Sequence, residues 1–237
     1  HAVYDRWVKQ CAFPVLGANI VDNKTGEPYL TPYKIIERKG VKIAVLGMIT
    51  PAIPSGLPEQ LWNGLHFEDM EDCARKWVKI IKEKENPDVL IGLFHAGPEG
   101  NKLDNVVENG SGDVAKNVLG FDVVFMGHDH VRRCEKIVNV AGDSVLLVDP
   151  ANAARYVSDV TVKVTKAGGK LVRKSVEGAW ADVSRYAADE DFMREFAGQY
   201  QATVDFVSRK IGRIEETIAT KDAYLGPSAF IDLLHQV

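Results

Sequence analysis

Paired cysteine motifs and long apolar runs are both missing from this sequence of 237 residues. Its 3 cysteines lack the C-x-x-C spacing of metal and redox motifs, which argues against a disulfide framework or a cysteine-based zinc site. No apolar run approaches the roughly 20 residues that span a bilayer, so no transmembrane segment is predicted. No serine or cysteine stands in a nucleophile-elbow motif, so the sequence does not support hydrolysis through a covalent intermediate.

An excess of basic residues is absent as well. The 29 lysines and arginines are outnumbered by 33 aspartates and glutamates, which gives a net charge of -4 and an isoelectric point near 5.9. This charge argues against binding to a nucleic-acid polymer or an anionic membrane surface. What is present, 46% hydrophobic and 26% charged residues, is typical of globular proteins.

The two ends of the sequence lie inside amphipathic segments, AVYDRWVKQC and SAFIDLLHQV. The first residue is His1 and not methionine. We interpret the chain as a piece of a longer protein, and such a piece would not be expected to show a signal peptide.

Between these ends the first part of the chain alternates strand and helix patterns. YKIIERKG followed by VKIAVLGMIT predicts a hairpin that turns at Lys39-Gly40. A helix is predicted from Asp69 to Asn86, and buried strands are predicted at 88–94 and 121–126. FPVLGANI predicts a further short buried strand. Helices followed by buried strands predict an α/β fold.

The later part of the chain has a different pattern. EKIVNV, SVLLVD, YVSDVTVKV and KLVRKSVEGAW predict strands joined as an antiparallel meander. One amphipathic helix is predicted from Asp189 to about Lys210, with a boundary near 212–223. The NGSGD segment is predicted to be a loop, because no GK[ST] follows it to make a phosphate-binding motif.

Two apolar runs that each end in histidine carry the chemistry. DVLIGLFHAG contains His95, and FDVVFMGHDH contains His128 and His130. Sites in open α/β sheets form at the carboxyl ends of strands, and residues two apart in an extended segment face the same side. Imidazole suits zinc, manganese, iron and nickel. The spacing therefore predicts a metal site, although a single histidine at a strand end is more often an ordinary polar residue.

Asp129 stands between two of these candidate ligands. In an extended turn its side chain would point away from them. This favours a role in hydrogen bonding around the ligands over direct ligation.

Together these motifs resemble the calcineurin-like metallophosphoesterases. GLFHAG, GHDH and the run FPVLGANIVDNKTGEPYLTPYKI, followed by VKIAVLGMITP, carry the resemblance. They are similar in particular to the group of 5′-nucleotidases, UDP-sugar hydrolases and 2′,3′-cyclic-nucleotide phosphodiesterases. The resemblance covers most of the chain.

The resemblance implies an incomplete four-layer α/β/β/α sandwich with a trailing helical linker, in which the meander is the second sheet. Residues 1–188 would be the distal part of the catalytic domain and 189–217 the linker helix. Residues 218–237, which include KDAYLGPSAFIDLLHQ, would begin a C-terminal nucleotidase domain that binds the substrate.

The resemblance also implies two divalent ions, such as zinc, manganese, iron or cobalt. His95 and His128 would bind one ion and His130 the other. The ions would activate a bridging hydroxide that hydrolyses a nucleotide or nucleotide-sugar phosphoester. Asn152 and Arg155 would approach the rim of this site and contact phosphate or substrate.

The chain also departs from that group. The D-x-H, G-D and GNH[DE] motifs, which supply an Asp, a His, the bridging Asp and an Asn, are not found in it. We therefore expect the chain alone to bind metal weakly or not at all and to lack normal turnover. The alternative is a non-catalytic module that binds metal or a partner. A periplasmic or extracellular location is implied by the resemblance alone.

Overall fold

The structure is a computed structural model, and it divides the chain into two compact units, residues 1–186 and 187–237. Within them it describes residues 2–100, 102–103, 106–221, 223–224 and 226–236. The predicted segments therefore include positions outside the described residues, namely 1, 101, 104, 105, 222, 225 and 237. The domain boundaries proposed from the sequence stay predictions.

The strands that the structure describes are β1 (Ile20–Asp22), β2 (Tyr33–Arg38), β3 (Val41–Ile49), β4 (Leu65–Phe67), β5 (Val89–His95), β6 (Lys102–Leu103), β7 (Val106–Val107), β8 (Val123–Phe125), β9 (Arg132–Val138), β10 (Ser144–Pro150), β11 (Tyr156–Ala167) and β12 (Lys170–Asp182). The described helices are α1 (Ala2–Gln10), α2 (Ile53–Gly56), α3 (Met70–Glu85), α4 (Ser111–Asn117), α5 (Glu190–Glu195), α6 (Ala197–Val207) and α7 (Ala229–Gln236), with short 3₁₀ turns at Glu59–Leu61 and Val183–Arg185.

A six-stranded sheet in the order β2-β3-β5-β8-β10-β9 is the centre of the first unit. The four inner strands run parallel to one another, and the two edge strands run antiparallel to their neighbours. Because the inner strands are parallel, their carboxyl ends meet at one edge of the sheet. The α/β prediction is confirmed.

Helix α3 covers one face of this sheet. Asp69 caps it by accepting hydrogen bonds from the amides of Glu71 and Asp72 at 2.8 and 3.1 Å. Asn86 ends it in the left-handed conformation, with φ of 45°. Its buried residues recur every three to four positions, as an amphipathic helix requires, and they pack with α4 and the inner strands in one core: Met70, Cys73, Ala74, Val78 and Ile81.

The predicted hairpin between β2 and β3 is also confirmed. Lys39 and Gly40 both have positive φ, 50° and 75°, and two-residue turns in which both residues have positive φ match the right-handed twist of the paired strands. The pairing joins Arg38 to Val41 across this turn.

The long hairpin of β11 and β12 packs on the opposite face of the sheet. Val160 and Val176 contact an apolar cluster of Val123, Leu146 and Val148. The described layers of this unit are therefore helices, the six-stranded sheet and the hairpin.

The meander prediction is wrong for its first half. Strands β9 and β10 form one edge of the main sheet, where β10 pairs in parallel with β8. Of these four strands, only β11 and β12 lie outside the main sheet, where they form a two-stranded sheet of their own. Strand patterns in sequence show where strands lie, whereas sheet membership depends on pairing between distant segments.

Two local predictions in the first unit are also wrong. Residues 13–19 form no regular strand, because their backbone makes scattered contacts and no continuous ladder: an isolated bridge joins Leu16 to Thr31, and the amide of Ala18 donates to the Gly47 carbonyl. The NGSGD segment enters α4, because the amides of Ser111 and Gly112 bond to the turn that follows β5.

In the second unit, the single helix predicted from 189 to 210 is two helices, α5 and α6. Phe196 separates them with φ of -96° and ψ of 5°, outside the helical region. None of the described helices in either unit combines the length and apolarity that crossing a membrane requires.

Candidate metal centre

The carboxyl ends of the inner strands bring the predicted histidines to one edge. His95 ends β5, and the GHDH turn, residues 127–130, follows β8. Because β5 and β8 are adjacent and parallel, the two motifs become neighbours although they are far apart in sequence.

His95 and His128 lie side by side at this edge. Their ring centroids are 5.3 Å apart, and the ring planes make an angle of 66°. Desolvation of the ring lowers the pKa of His95, and the charges of His128 and His130 lower it further. A lowered pKa keeps the imidazole neutral near pH 7, and the neutral form is the one that binds metal.

The GHDH turn is not extended, contrary to the assumption made from the sequence. His128 and His130 have φ of 84° and 60°, a backbone region that residues other than glycine rarely occupy. His128 is half-buried and His130 is exposed. Their orientation therefore follows from a tight left-handed turn and not from the alternation of a strand.

Glu108 contacts His128 and is a residue that the sequence analysis missed. Its Oε1 lies 3.0 Å from His128 Nε2. Thr50, which is buried, connects this segment to the neighbouring strand, since its hydroxyl donates to the Glu108 carbonyl at 2.7 Å and its amide donates to the His95 carbonyl at 2.9 Å. No motif in the sequence indicates Glu108, because the contact depends on the path of the segment between β5 and α4.

Gly97 lets that segment approach the end of β5. Its amide donates to Asn109 Oδ1 at 2.5 Å, and a Cβ at Gly97 would lie 2.8 Å from the same oxygen. A side chain there would therefore push away the segment that carries Glu108.

Asp129 faces away from the imidazoles toward β9. Its Oδ1 accepts from the amide of Val131 at 3.0 Å, and its Oδ2 accepts from Arg133 Nη2 at 3.1 Å. Its proposed role in hydrogen bonding around the ligands stays a prediction.

Asn152 and Arg155 lie in the loop after β10, and both are exposed. The carbonyl of Asn152 accepts from the amide of Arg155 at 3.5 Å, and the carbonyl of Arg155 accepts from the amide of Val183 at 3.0 Å. In the part of the chain that the structure describes, no hydrogen bond or ion pair joins them to the three histidines. Their proposed contact with substrate therefore stays a prediction.

The donor chemistry of the three imidazoles suits a divalent ion, but the donor set is incomplete. Among the described residues, no group of three or more His, Cys, Asp or Glu side chains is arranged to hold a metal ion. The edge therefore presents two adjacent imidazoles and a nearby third, and their role as metal ligands stays a prediction.

Comparisons with known proteins agree with this fold. No family model matches the chain. It is 40% identical to a 5′-nucleotidase of Vibrio cholerae over 104 residues, which is 44% of this chain and 18% of that protein. It is 24% identical to a 2′,3′-cyclic-nucleotide 2′-phosphodiesterase/3′-nucleotidase of Haemophilus influenzae over 254 aligned residues, which is 97% of this chain and 38% of that protein.

Among solved structures, the chain superposes on the calcineurin-like phosphoesterase YfkN of Bacillus subtilis with a TM-score of 0.71 and 23% identity, covering 86% of this chain and 67% of that one. This likeness shows that the chain has the fold of the calcineurin-like phosphoesterases. Its homologues in sequence are 5′-nucleotidases and 2′,3′-cyclic-nucleotide phosphodiesterase/3′-nucleotidases. The resemblance and the fold class predicted from the sequence are confirmed, and the chain spans only a minor part of these curated relatives.

Proposed function

We propose that the chain takes part in the hydrolysis of nucleotide phosphoesters, with His95, His128 and His130 holding divalent metal ions. The observation that carries this proposal is the pair of adjacent rings, 5.3 Å apart, at the carboxyl edge of the parallel strands. Similarity to nucleotidases supports the substrate class.

The residues of this edge have distinct roles in the proposal. His95 and His128 act as neutral nitrogen donors, and the lowered pKa of His95 supports that form. Glu108 fixes the ring of His128 through its 3.0 Å contact. Thr50 ties the backbone of Glu108 to the backbone of His95.

Divalent ions, when bound, would lower the pKa of water and neutralise the phosphate oxygens. The histidines of this chain would hold them as one wall of the site. The Asp, His and Asn ligands that the resemblance implies would supply the rest. A periplasmic or extracellular location is part of the proposal, and cell fractionation of the source organism tests it.

The first test is metal binding and phosphate release by the chain itself. We expect weak binding of Mn²⁺ or Zn²⁺ by calorimetry. We expect no hydrolysis of a 5′-nucleotide or a 2′,3′-cyclic nucleotide at rates in the ~1–10³ s⁻¹ range of ordinary enzymes. Turnover in that range would show that the donor set of this chain is sufficient.

The second test uses the native protein, if its upstream sequence supplies D-x-H, G-D and GNH[DE]. His128→Ala should abolish its metal-dependent hydrolysis. His66→Ala is the matched control, because His66 is an exposed histidine that contacts Asn23 at 2.6 Å. An unchanged rate in His128→Ala would remove this residue from the mechanism. Absence of the upstream motifs would instead favour the non-catalytic module.

A further inference from the structure

Arg132, the first residue of β9, carries a positive charge to which no role has been given. It follows His130 of the GHDH turn by two positions, and its Cα partner is Pro150, the last residue of β10. Arg132 is exposed. It therefore lies at the same edge of the sheet as the candidate metal centre.

Two aromatic rings of the β11–β12 hairpin contact the guanidinium of Arg132. Its central carbon lies 4.4 Å from the ring centroid of Tyr156 and 4.7 Å from that of Trp180. Trp180 pairs with Ser158 across the hairpin, so the two rings are diagonal neighbours on one face of it. Contacts of this kind use the faces of the rings and leave the guanidinium N–H groups available for hydrogen bonds.

The rings are themselves fixed to the main sheet. The indole N–H of Trp180 donates to the carbonyls of Arg133 and Asp149 at 3.2 and 3.3 Å. Tyr156 is half-buried at the start of β11. Because these groups already order the side chain of Arg132, less conformational entropy is lost when a ligand binds to it.

Among the residues that the structure describes, none accepts a hydrogen bond from the guanidinium of Arg132 or forms an ion pair with it. Asp182, opposite Tyr156 in the hairpin, is the carboxylate on the same face, and it accepts from the amide and hydroxyl of Ser184 at 3.0 and 2.7 Å. These hydrogen bonds lower the pKa of Asp182, burial opposes them, and the charges of Arg185 and Arg132 lower it further. Asp182 therefore attracts Arg132 at longer range and does not occupy its N–H groups.

The other charged groups of this edge also leave that guanidinium available. Arg133 pairs with Asp129 at 3.1 Å. The side chain of Asp149 points to the face of β10 opposite to that of Pro150, since neighbouring residues of a strand alternate. Arg155, in the loop before β11, is exposed and adds a further positive charge.

We propose that Arg132 binds the phosphate group of the substrate or product through its guanidinium, and that Tyr156 and Trp180 hold the guanidinium in position for this contact. A planar guanidinium matches two phosphate oxygens at once. The choice of phosphate as the ligand rests on the proposed function, because the candidate metal centre lies at the same edge.

The test is an NMR titration of the folded, metal-free chain with inorganic phosphate at constant pH and ionic strength. We expect a saturable shift of the Nε–H signal of Arg132. Arg132→Gln should weaken phosphate binding, followed by backbone amide shifts, about tenfold or more, because it removes charge-assisted hydrogen bonds.

Arg173→Gln is the matched control. Arg173 is an exposed arginine near the opposite end of β12, so its replacement changes the net charge by the same amount. It should leave the affinity for phosphate unchanged.

Trp180→Leu separates ligand binding from net charge. It retains every charge but removes one of the two rings, so the affinity for phosphate should fall. If this variant does not fold, Tyr156→Leu replaces it with the same expectation. Parent-like phosphate affinity in Arg132→Gln, even with lower stability in urea, would mean that Arg132 only fastens the hairpin and would overturn the proposal. The absence of a saturable shift in the parent would do the same.

The titration measures binding without metal or turnover, so its outcome is separate from that of the proposed function. A saturable shift of Arg132 in a chain whose histidines bind no metal would sustain this inference and contradict the proposed function. Metal binding by the histidines without that shift would do the reverse.

Discussion

Two aspartates, Asp88 and Asp122, lie at the amino ends of the parallel strands. The carboxylate of each accepts a hydrogen bond from a backbone amide and also pairs with a lysine side chain. Asp88 accepts from the amide of Lys42 at 2.8 Å and from Lys166 Nζ at 2.7 Å. Asp122 accepts from the amide of Leu90 at 2.9 Å and pairs with Lys174 at 2.6 Å. These bonds tie neighbouring strands, and the β11–β12 hairpin, to one end of the sheet.

The carboxyl ends of the same strands are built differently. His128 and His130 have positive φ, and so do three alanines of the next loop, Ala151, Ala153 and Ala154. At the amino ends, the described non-glycine residues with positive φ are Lys39, in the hairpin turn, and Asn86, at the end of α3, where such a conformation is ordinary. Strained backbone and perturbed titratable groups concentrate at functional sites. The amino end of the sheet is therefore held by bonds that stabilise the fold. At the carboxyl end, several residues adopt backbone conformations that are themselves unfavourable for stability.

Asp122→Ala should have the largest effect on stability. It removes two charge-assisted hydrogen bonds and leaves Lys174 with the Asp88 carbonyl but without its carboxylate partner, so we expect the free energy of unfolding to fall by about 2 kcal/mol. Urea denaturation measures this. Asp159→Ala, on the exposed side of β11, is the control and should stay within about 0.5 kcal/mol. Equal effects of the two variants would break the contrast between the ends.

The pH dependence of unfolding sharpens the same contrast. The hydrogen bond from Lys166, then that from the amide of Lys42, lowers the pKa of Asp88. A lowered folded-state pKa stabilises the fold above the unfolded value of about 3.9, and this stability is lost as pH falls through the folded value. Asp88→Asn should be less stable than the parent at pH 7, and the difference should shrink toward pH 3 in urea titrations. A difference that stays constant with pH would contradict this.

His95→Ala should change stability less than Asp122→Ala does. His95 is exposed, and exposed substitutions usually change the free energy of unfolding by no more than about 0.5 kcal/mol. Denaturant titration of this variant beside the parent measures the effect. A loss as large as that of Asp122→Ala would mean that the histidine edge also stabilises the fold.

Ala153→Gly should give a small gain. Ala153 has φ of 58°, which glycine adopts without steric cost, although glycine also gains freedom in the unfolded chain. We expect an increase of about 0.5 kcal/mol or less in unfolding free energy. Ala179→Gly, in strand β12, is the opposite control and should lower it by about 0.5–1 kcal/mol. A loss in both variants would show that the loop is not strained at Ala153.

Much of this architecture is readable from local patterns. The cap at Asp69, the turn at Lys39-Gly40 and the apolar runs before His95 and His128 are local signals, and the structure agrees with each of them. Two of the predictions that failed needed contacts between distant segments. The pairing of β10 with β8 and the start of α4 at Ser111 are decided by such contacts.

The sequence by itself determined which residues end the strands and therefore which imidazoles could meet. It could not determine their geometry, since adjacency of β5 and β8 brings His95 to within 5.3 Å of His128 between ring centroids. Only the tertiary structure showed Glu108 beside His128. The physical reason is that hydrophobic periodicity is local, whereas the partners of a polar side chain depend on which segments the fold brings together.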